Sequence, residues 1–124
     1  MKTDKKRFDE LIIICQKCKR MVQYAQETLK YGKKKEFEND DYWCKPVPSF
    51  GSLDSEILIV GLAPGKHGAG RTGRPFTGDY AGEILYKALH QSGLASSANA
   101  VSLADGLKLK NIRITNAIRC APPQ

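Results

Sequence analysis

The sequence predicts an α/β fold built on a parallel sheet, and three observations carry that reading. Glu56-Ile-Leu-Ile-Val-Gly61 and Asn111-Ile-Arg-Ile-Thr-Asn116 are short β-branched runs bounded by turn residues. An apolar pattern of helical period lies between them, from about Asp79 to about Ser92. Strand, helix and strand in that order form the repeating unit of a parallel sheet. With 124 residues, 41% of them hydrophobic and 27% charged, the chain suits one globular domain with a core.

The elements follow in order. Phe8, Leu11, Ile12, Cys15, Cys18, Val22, Ala25 and Leu29 recur at helical spacing, which predicts a helix from about Lys5 to about Lys30, interrupted near the cysteines. Gly32, the lysines 33–35 and an acidic run to Asp41 make an exposed polar stretch. Pro46 and Pro48 exclude a regular element up to Gly51. Residues 1–50 therefore read as a helical arm carrying cysteines, and residues 51–124 as the start of the α/β core of the same domain. The first strand has no polar alternation and reads as buried on both faces. A glycine-rich loop, 62–78, leads to the central helix, whose apolar face is Ile84, Leu85, Ala88 and Leu89. Residues 93–106 are loop-like, and the second strand alternates apolar and polar positions. Two strands are few for a parallel sheet, and the chain stops where a crossover helix is due, so the sequence reads as a domain truncated after its second strand.

The formal charge is +7, spread over both halves of the chain, which favours a polyanionic partner, nucleic acid first. No apolar run is long enough for a signal-peptide core or a membrane span, so the expected setting is cytoplasmic, without membrane contact. Two glycine motifs fail on context. Gly68-Ala-Gly70-Arg-Thr-Gly73 lies seven residues past the strand, outside the strand-to-helix turn that a dinucleotide site requires. Gly61-Leu-Ala-Pro-Gly65-Lys66-His67 is one residue short of a phosphate-binding loop and carries histidine where a magnesium-binding hydroxyl belongs.

The segment from Gly61 to Gly82, GLAPGKHGAGRTGRPFTGDYAG, concentrates the chemistry. Glycines after a parallel strand let backbone N–H groups approach a ligand, at the strand end where open sheets bind ligands. Lys66, Arg71 and Arg74 add positive charge, Phe76 a flat ring, and Asp79 the loop's single carboxylate. That combination suits an anionic ligand bearing a base. Asp79 also sits where a helix N-cap belongs, and Asn116 where a strand-end turn former belongs. Phe76 has a core-aromatic reading, and His67 and His90 read as loop and helix-end residues.

This segment resembles the first motif of the family-5 (type B) uracil-DNA glycosylases. So do Tyr42-Trp43 through Pro46-Val-Pro48-Ser-Phe50-Gly51, the stretch from Ile114 to Pro123, and the entry Cys15-x-x-Cys18. Leu62 stands where the related family-4 enzymes carry an acid, leaving Asp79 to supply it. The resemblance implies a uracil-DNA glycosylase α/β/α sandwich and hydrolysis of the N-glycosidic bond of uracil, and of other deaminated bases, in DNA. It implies base flipping, with Phe76 stacked on the base, Asn116 bonded to its polar edge, and backbone around Leu62, Ala63 and Gly65 holding its carbonyls. Lys66, Arg71 and Arg74 would meet the DNA, and Asp79 would stabilise charge on the sugar and orient water. The expected enzyme is a monomer. The family's second motif, with its base-contacting histidine, has no match in this sequence.

Cysteines at 15, 18, 44 and 120, with no export signal, argue for a metal site rather than disulfides. The resemblance makes Cys15, Cys18 and Cys120 three ligands of a [4Fe–4S] cluster whose fourth ligand lies downstream, with Cys44 the substitute candidate and structural zinc the alternative. The rival class is a non-catalytic zinc- or cluster-containing nucleic-acid-binding module. It accounts for the charge and the cysteines but not for the motif around Gly61–Gly82.

Overall fold

A computed structural model describes residues 2–123, with side chains from Arg7 onward. The expected N-terminal helix is two helices. Helix α1, Lys2–Ile13, and helix α2, Lys19–Glu27, are separated by an extended segment that holds Cys15 and Cys18. The break expected near the cysteines is thus complete. Helix α2 runs into a π turn, Thr28–Gly32, and a short 3-10 turn, Lys35–Phe37, follows.

Strands β1, Ile57–Gly61, and β2, Ile112–Asn116, pair in parallel, with Ile57 opposite Ile112 and Gly61 opposite Asn116. The pairing continues beyond the strands, where Ala117 N–H donates to Gly61 and Ile118 N–H to Leu62, each at 2.9 Å. On its other edge β2 is met by Phe50, which exchanges both backbone bonds with Ile114 at 2.7 and 2.8 Å. The proline-rich 46–51 loop therefore seals one side of the sheet. The long loop after β1 contains one helical turn that sequence pattern did not announce, α3, Ala69–Thr72. Helix α4, Tyr80–Gln91, begins at Asp79 and packs on the sheet.

The core is Tyr86 and Leu89 of α4, Ile112 and Ile114 of β2, and Ala95 and Leu107 from the following loop. Two expectations about burial need correction. The inward side of α4 is Gly82, Tyr86 and Leu89, with Leu85 partly buried, while Ile84 and Ala88 face out. The positions 82, 86 and 89 follow helical spacing, but a glycine at their head hid the stripe. Strand β1 is also not buried on both faces, because Leu58 is 58% and Val60 59% exposed. Helix α1 reaches that face through Asp9, which pairs with Arg113 at 3.3 Å, but leaves Leu58 and Val60 exposed, whereas β2 lies between β1 and Phe50 and is almost wholly enclosed.

Candidate active site

The site forms where the two strands end and the loop begins. Gly61 closes β1, and a Cβ there would lie 2.4 Å from Asn116 Oδ1 and 2.7 Å from Phe76 Cζ. Only glycine leaves room for the ring and the amide to meet over the strand end. Asn116 is 4% exposed, yet its side-chain amide makes no hydrogen bond among the described residues. An amide at the strand end that meets no protein partner is available for a ligand. Phe76 sits at φ +53, a left-handed conformation rare for an aromatic residue and characteristic of functional segments. Two contacts hold it there. Tyr86 Oη donates to the Pro75 carbonyl at 2.7 Å, and a Cβ at Gly82 would lie 1.8 Å from the Phe76 carbonyl oxygen. The first turn of α4 therefore backs directly onto Phe76. The ring also packs on the core, so the core reading and the site reading of Phe76 describe two sides of one residue.

Asp79 is likewise both things the sequence offered. Its Oδ1 accepts the Gly82 N–H at 2.9 Å and caps α4. Its Oδ2 points at the glycine loop, where a Cβ on Gly68 would lie 2.4 Å away and one on Gly65 3.8 Å away. The carboxylate thus has one oxygen fixed and one facing the loop. The carbonyls of Gly61, Leu62 and Gly65 accept hydrogen bonds from Ala117, Ile118, and Gly68 with Gly70, respectively. What this stretch can offer a ligand is N–H donors. The Leu62 side chain is 78% exposed.

The three loop cations expected to meet DNA behave differently. Arg74 is 4% exposed and bidentate with Asp105 at 2.9 and 2.7 Å. Its Nε donates to Thr77 Oγ1 at 3.0 Å, and its guanidinium lies 4.8 Å from the Phe50 ring centre. Its guanidinium is engaged by Asp105, Thr77 and the Phe50 ring, partners that the sequence reading of Arg74 as a DNA contact did not include. Arg74 holds the Asp105 carboxyl well below the usual carboxylate range. Arg71 has a side chain 12% exposed and spends its guanidinium on Asp40, His67, Gly78 and the Phe37 ring. Like that of Arg74, its guanidinium is engaged within the protein, where the sequence reading expected a DNA contact. Lys66 is half-buried, its ammonium 5.2 Å from the Tyr24 ring centre. Beside it, burial, with the Lys66 charge next, pushes the His67 imidazole below its ordinary range, and Nδ1 lies 2.8 Å from Tyr42 Oη.

Cys15, Cys18 and Cys120 come from the α1–α2 break and the segment after β2. Burial, then the neighbouring Cys18 and Cys15, push the Cys120 thiol up. Cys44 joins Cys15 and Cys120 in lining a cavity of about 380 Å³ walled by Ile13, Val22 and Leu29. Among the described residues no three ligating side chains are already gathered into a metal cage. The thiol chemistry and the location fit a thiolate-bound metal group, while the spacing does not preassemble one. No described helix is long and apolar enough to cross a membrane.

Sequence reasoning missed the residues that hold the site. Tyr42 and Trp43 run beside α3, with Trp43 N–H donating to Arg71 at 2.8 Å and Cys44 N–H to Gly70 at 2.9 Å. Gly73, at φ +84, packs where a Cβ would lie 2.7 Å from Trp43 Cδ2. Tyr86, Thr77 and Asp105 carried no local signal, because each acts through a distant partner.

Comparison with known proteins bears on this geometry. Residues 48–124 match the family model described as the uracil DNA glycosylase superfamily. The chain is 44% identical over 121 residues to a type-5 uracil-DNA glycosylase of Thermus thermophilus, covering 98% of this chain and 54% of that protein. It is 50% identical over 113 residues to a type-5 uracil-DNA glycosylase of Mycobacterium bovis, covering 91% and 42%. A type-5 uracil-DNA glycosylase of Pyrobaculum aerophilum is 41% identical over 117 residues, covering 94% and 50%. The chain spans about half the length of the curated relatives it matches.

Proposed function

The chain belongs to the uracil DNA glycosylase superfamily, and from that premise we propose that it carries the base-holding and sugar-facing part of a DNA repair glycosylase that removes uracil. The observation that carries the proposal is the strand-end arrangement: Phe76 and the unpartnered Asn116 amide meet over Gly61, with Asp79 Oδ2 against the adjoining glycine loop.

The chemistry follows from those positions. A base inside a duplex must be turned out before its glycosidic bond can be reached. The Phe76 ring offers a stacking face to the base. The Asn116 amide donates with N–H and accepts with C=O, matching uracil's adjacent carbonyl and N–H. Loop N–H groups supply the donors that a departing uracil anion needs. As the bond from the sugar C1′ to the base nitrogen breaks, its electron pair leaves with the base and positive charge grows on the sugar. The Asp79 carboxylate stabilises that charge electrostatically and orients a water whose oxygen bonds to C1′ as one of its protons passes to the carboxylate and on to solvent, the departed uracil anion taking a proton from solvent in turn. The fixed cap on Oδ1 leaves Oδ2 for this work.

Cys15, Cys18 and Cys120 are the residues that would hold a [4Fe–4S] cluster, structural zinc being the alternative. Such a group would pin the α1–α2 junction to the segment after β2, and no step of the hydrolysis passes through it. Iron, sulfide and zinc assays on the purified chain separate the two, and neither metal co-purifying would remove the assignment.

The test is excision of uracil from DNA, read as alkali-labile sites, alongside binding of uracil-containing and thymine-containing duplexes. Asn116→Ala is expected to abolish the preference for the uracil duplex, a readout that needs no turnover. Excision that survives Asp79→Ala sinks the catalytic assignment. Equal binding of both duplexes by the unaltered chain, with no excision, would favour the non-catalytic nucleic-acid-binding module.

A further inference from the structure

We propose that Arg71 is the positioning residue for Asp79, and that residues 37–40 of the arm hold Arg71 in place. The inference rests on the reading of Asp79 given above and adds what fixes its position.

Arg71 lies in α3, inside the loop, and its guanidinium reaches both ends of that loop. Nε donates to the carbonyl of His67 at 2.5 Å, and Nη2 to the carbonyl of Gly78 at 3.1 Å. Gly78 immediately precedes Asp79. The neighbouring Thr72 Oγ1 donates to the Thr77 carbonyl at 2.8 Å. The one-turn helix therefore grips the two residues that lead into the candidate carboxylate. Gly78 is shaped for this grip: its φ is +95, and a Cβ there would lie 2.5 Å from Arg71 Nη2 and 2.8 Å from Thr72 Cγ2. Any side chain at 78 would push the guanidinium off the carbonyl.

The other side of the guanidinium faces the arm. Nη1 pairs with Asp40 Oδ2 at 3.1 Å, and the guanidinium carbon stands 3.8 Å from the Phe37 ring centre. A planar cation stacked on a ring and pinned by a carboxylate cannot rotate without losing several contacts at once. An ammonium offers a point charge and no such plane. Displacing a reacting group by about 1 Å can cost on the order of 100-fold in rate, so a grip one residue from Asp79 is placed where it matters.

The experiment is site-resolved amide hydrogen exchange on the isotope-labelled chain. The probe is the Gly82 N–H, which donates to Asp79 Oδ1 at 2.9 Å, and the reference is the Ile114 N–H, which donates to Phe50 at 2.7 Å. Asp79→Ala sets the scale by removing the acceptor, which should raise Gly82 exchange about fivefold, the equivalent of a cap worth about 1 kcal/mol. Arg71→Ala is expected to raise Gly82 exchange by at least half of that on a logarithmic scale while leaving Ile114 alone, with Arg71→Lys falling between. Unchanged Gly82 exchange in Arg71→Ala overturns the proposal. So does a rise shared equally by Ile114, which would mean general destabilisation, or weaker duplex binding with Gly82 unchanged, which would make Arg71 a phosphate contact. Should Arg71→Ala fail to fold, Arg71→Lys and Asp40→Asn decide by the same ratio of Gly82 to Ile114. Retained excision in Asp79→Ala would end the catalytic reading without altering the exchange result, so the two can fail separately.

Discussion

At the scale of single residues, Asp79 joins two jobs that substitution can separate. Asparagine caps helices about as well as aspartate, whereas alanine does not cap. Asp79→Asn should therefore keep thermal stability within a few tenths of a kcal/mol, and Asp79→Ala should lose about 1 kcal/mol. On the proposed reading both should lose uracil excision by about 100-fold or more, because both remove the charge that would face the sugar. Paired thermal melts and excision assays check this; activity in Asp79→Asn would make the residue a cap and nothing else. Gly82 offers a second test. A Cβ 1.8 Å from the Phe76 carbonyl cannot be absorbed by a side-chain rotation, since the obstacle is backbone. Gly82→Ala should destabilise by about 1–3 kcal/mol, although alanine is the better helix former, and chemical denaturation would show it.

At the scale of elements, the loop after β1 is held by two cations that each reach a carboxylate 31 residues away. Arg74 fixes its far end to the turn at Asp105, whose oxygens also cap the N–H groups of Val101, Ser102 and Leu107. The hydrogen bonds from Arg74 depress the folded-state pKa of Asp105 below its unfolded value. The stabilisation is therefore full above the unfolded pKa, about 3.9, and is lost as pH falls through and below it. Melting temperature should begin to drop as pH falls through about 4 and go on falling toward pH 2, and Asp105→Asn should flatten that drop while lowering stability at pH 7. Curves of equal slope for the two proteins would show that the pair does not govern acid sensitivity.

At the scale of the whole molecule, burial is uneven across the sheet. Strand β2 is enclosed by β1 and Phe50, with Ile114 fully buried, whereas the Leu58 and Val60 face of β1 is open among the described residues. Ile114→Ala should cost about 2–5 kcal/mol, whereas Leu58→Lys should fall within about 0.5 kcal/mol of no change. Denaturant titration of the two variants checks the asymmetry. The arm is joined to the core through α3, by Trp43 and Cys44 at the backbone and by Arg71 at the side chain. Changes in the arm are thus transmitted to the loop that bears Asp79.

The sequence by itself determined the two strands, the central helix and its cap at Asp79, the glycine loop, and the family that its motif resembles. Those features are local. Hydrophobic period, β-branching, glycine spacing and capping residues act over a few positions and can be read along the chain. Tertiary structure decided what each loop cation pairs with, which face of β1 is covered, and which residues hold the site. Arg71 and Arg74 looked alike in the sequence as cations of a ligand loop. Their carboxylate partners, Asp40 and Asp105, lie far off in opposite directions along the chain, and only folding brings such charges together. Asn116 is the clearest case of shared authorship: its place at a strand end was legible, but only folding enclosed the residue beside Phe76 and Gly61 with its amide unpaired.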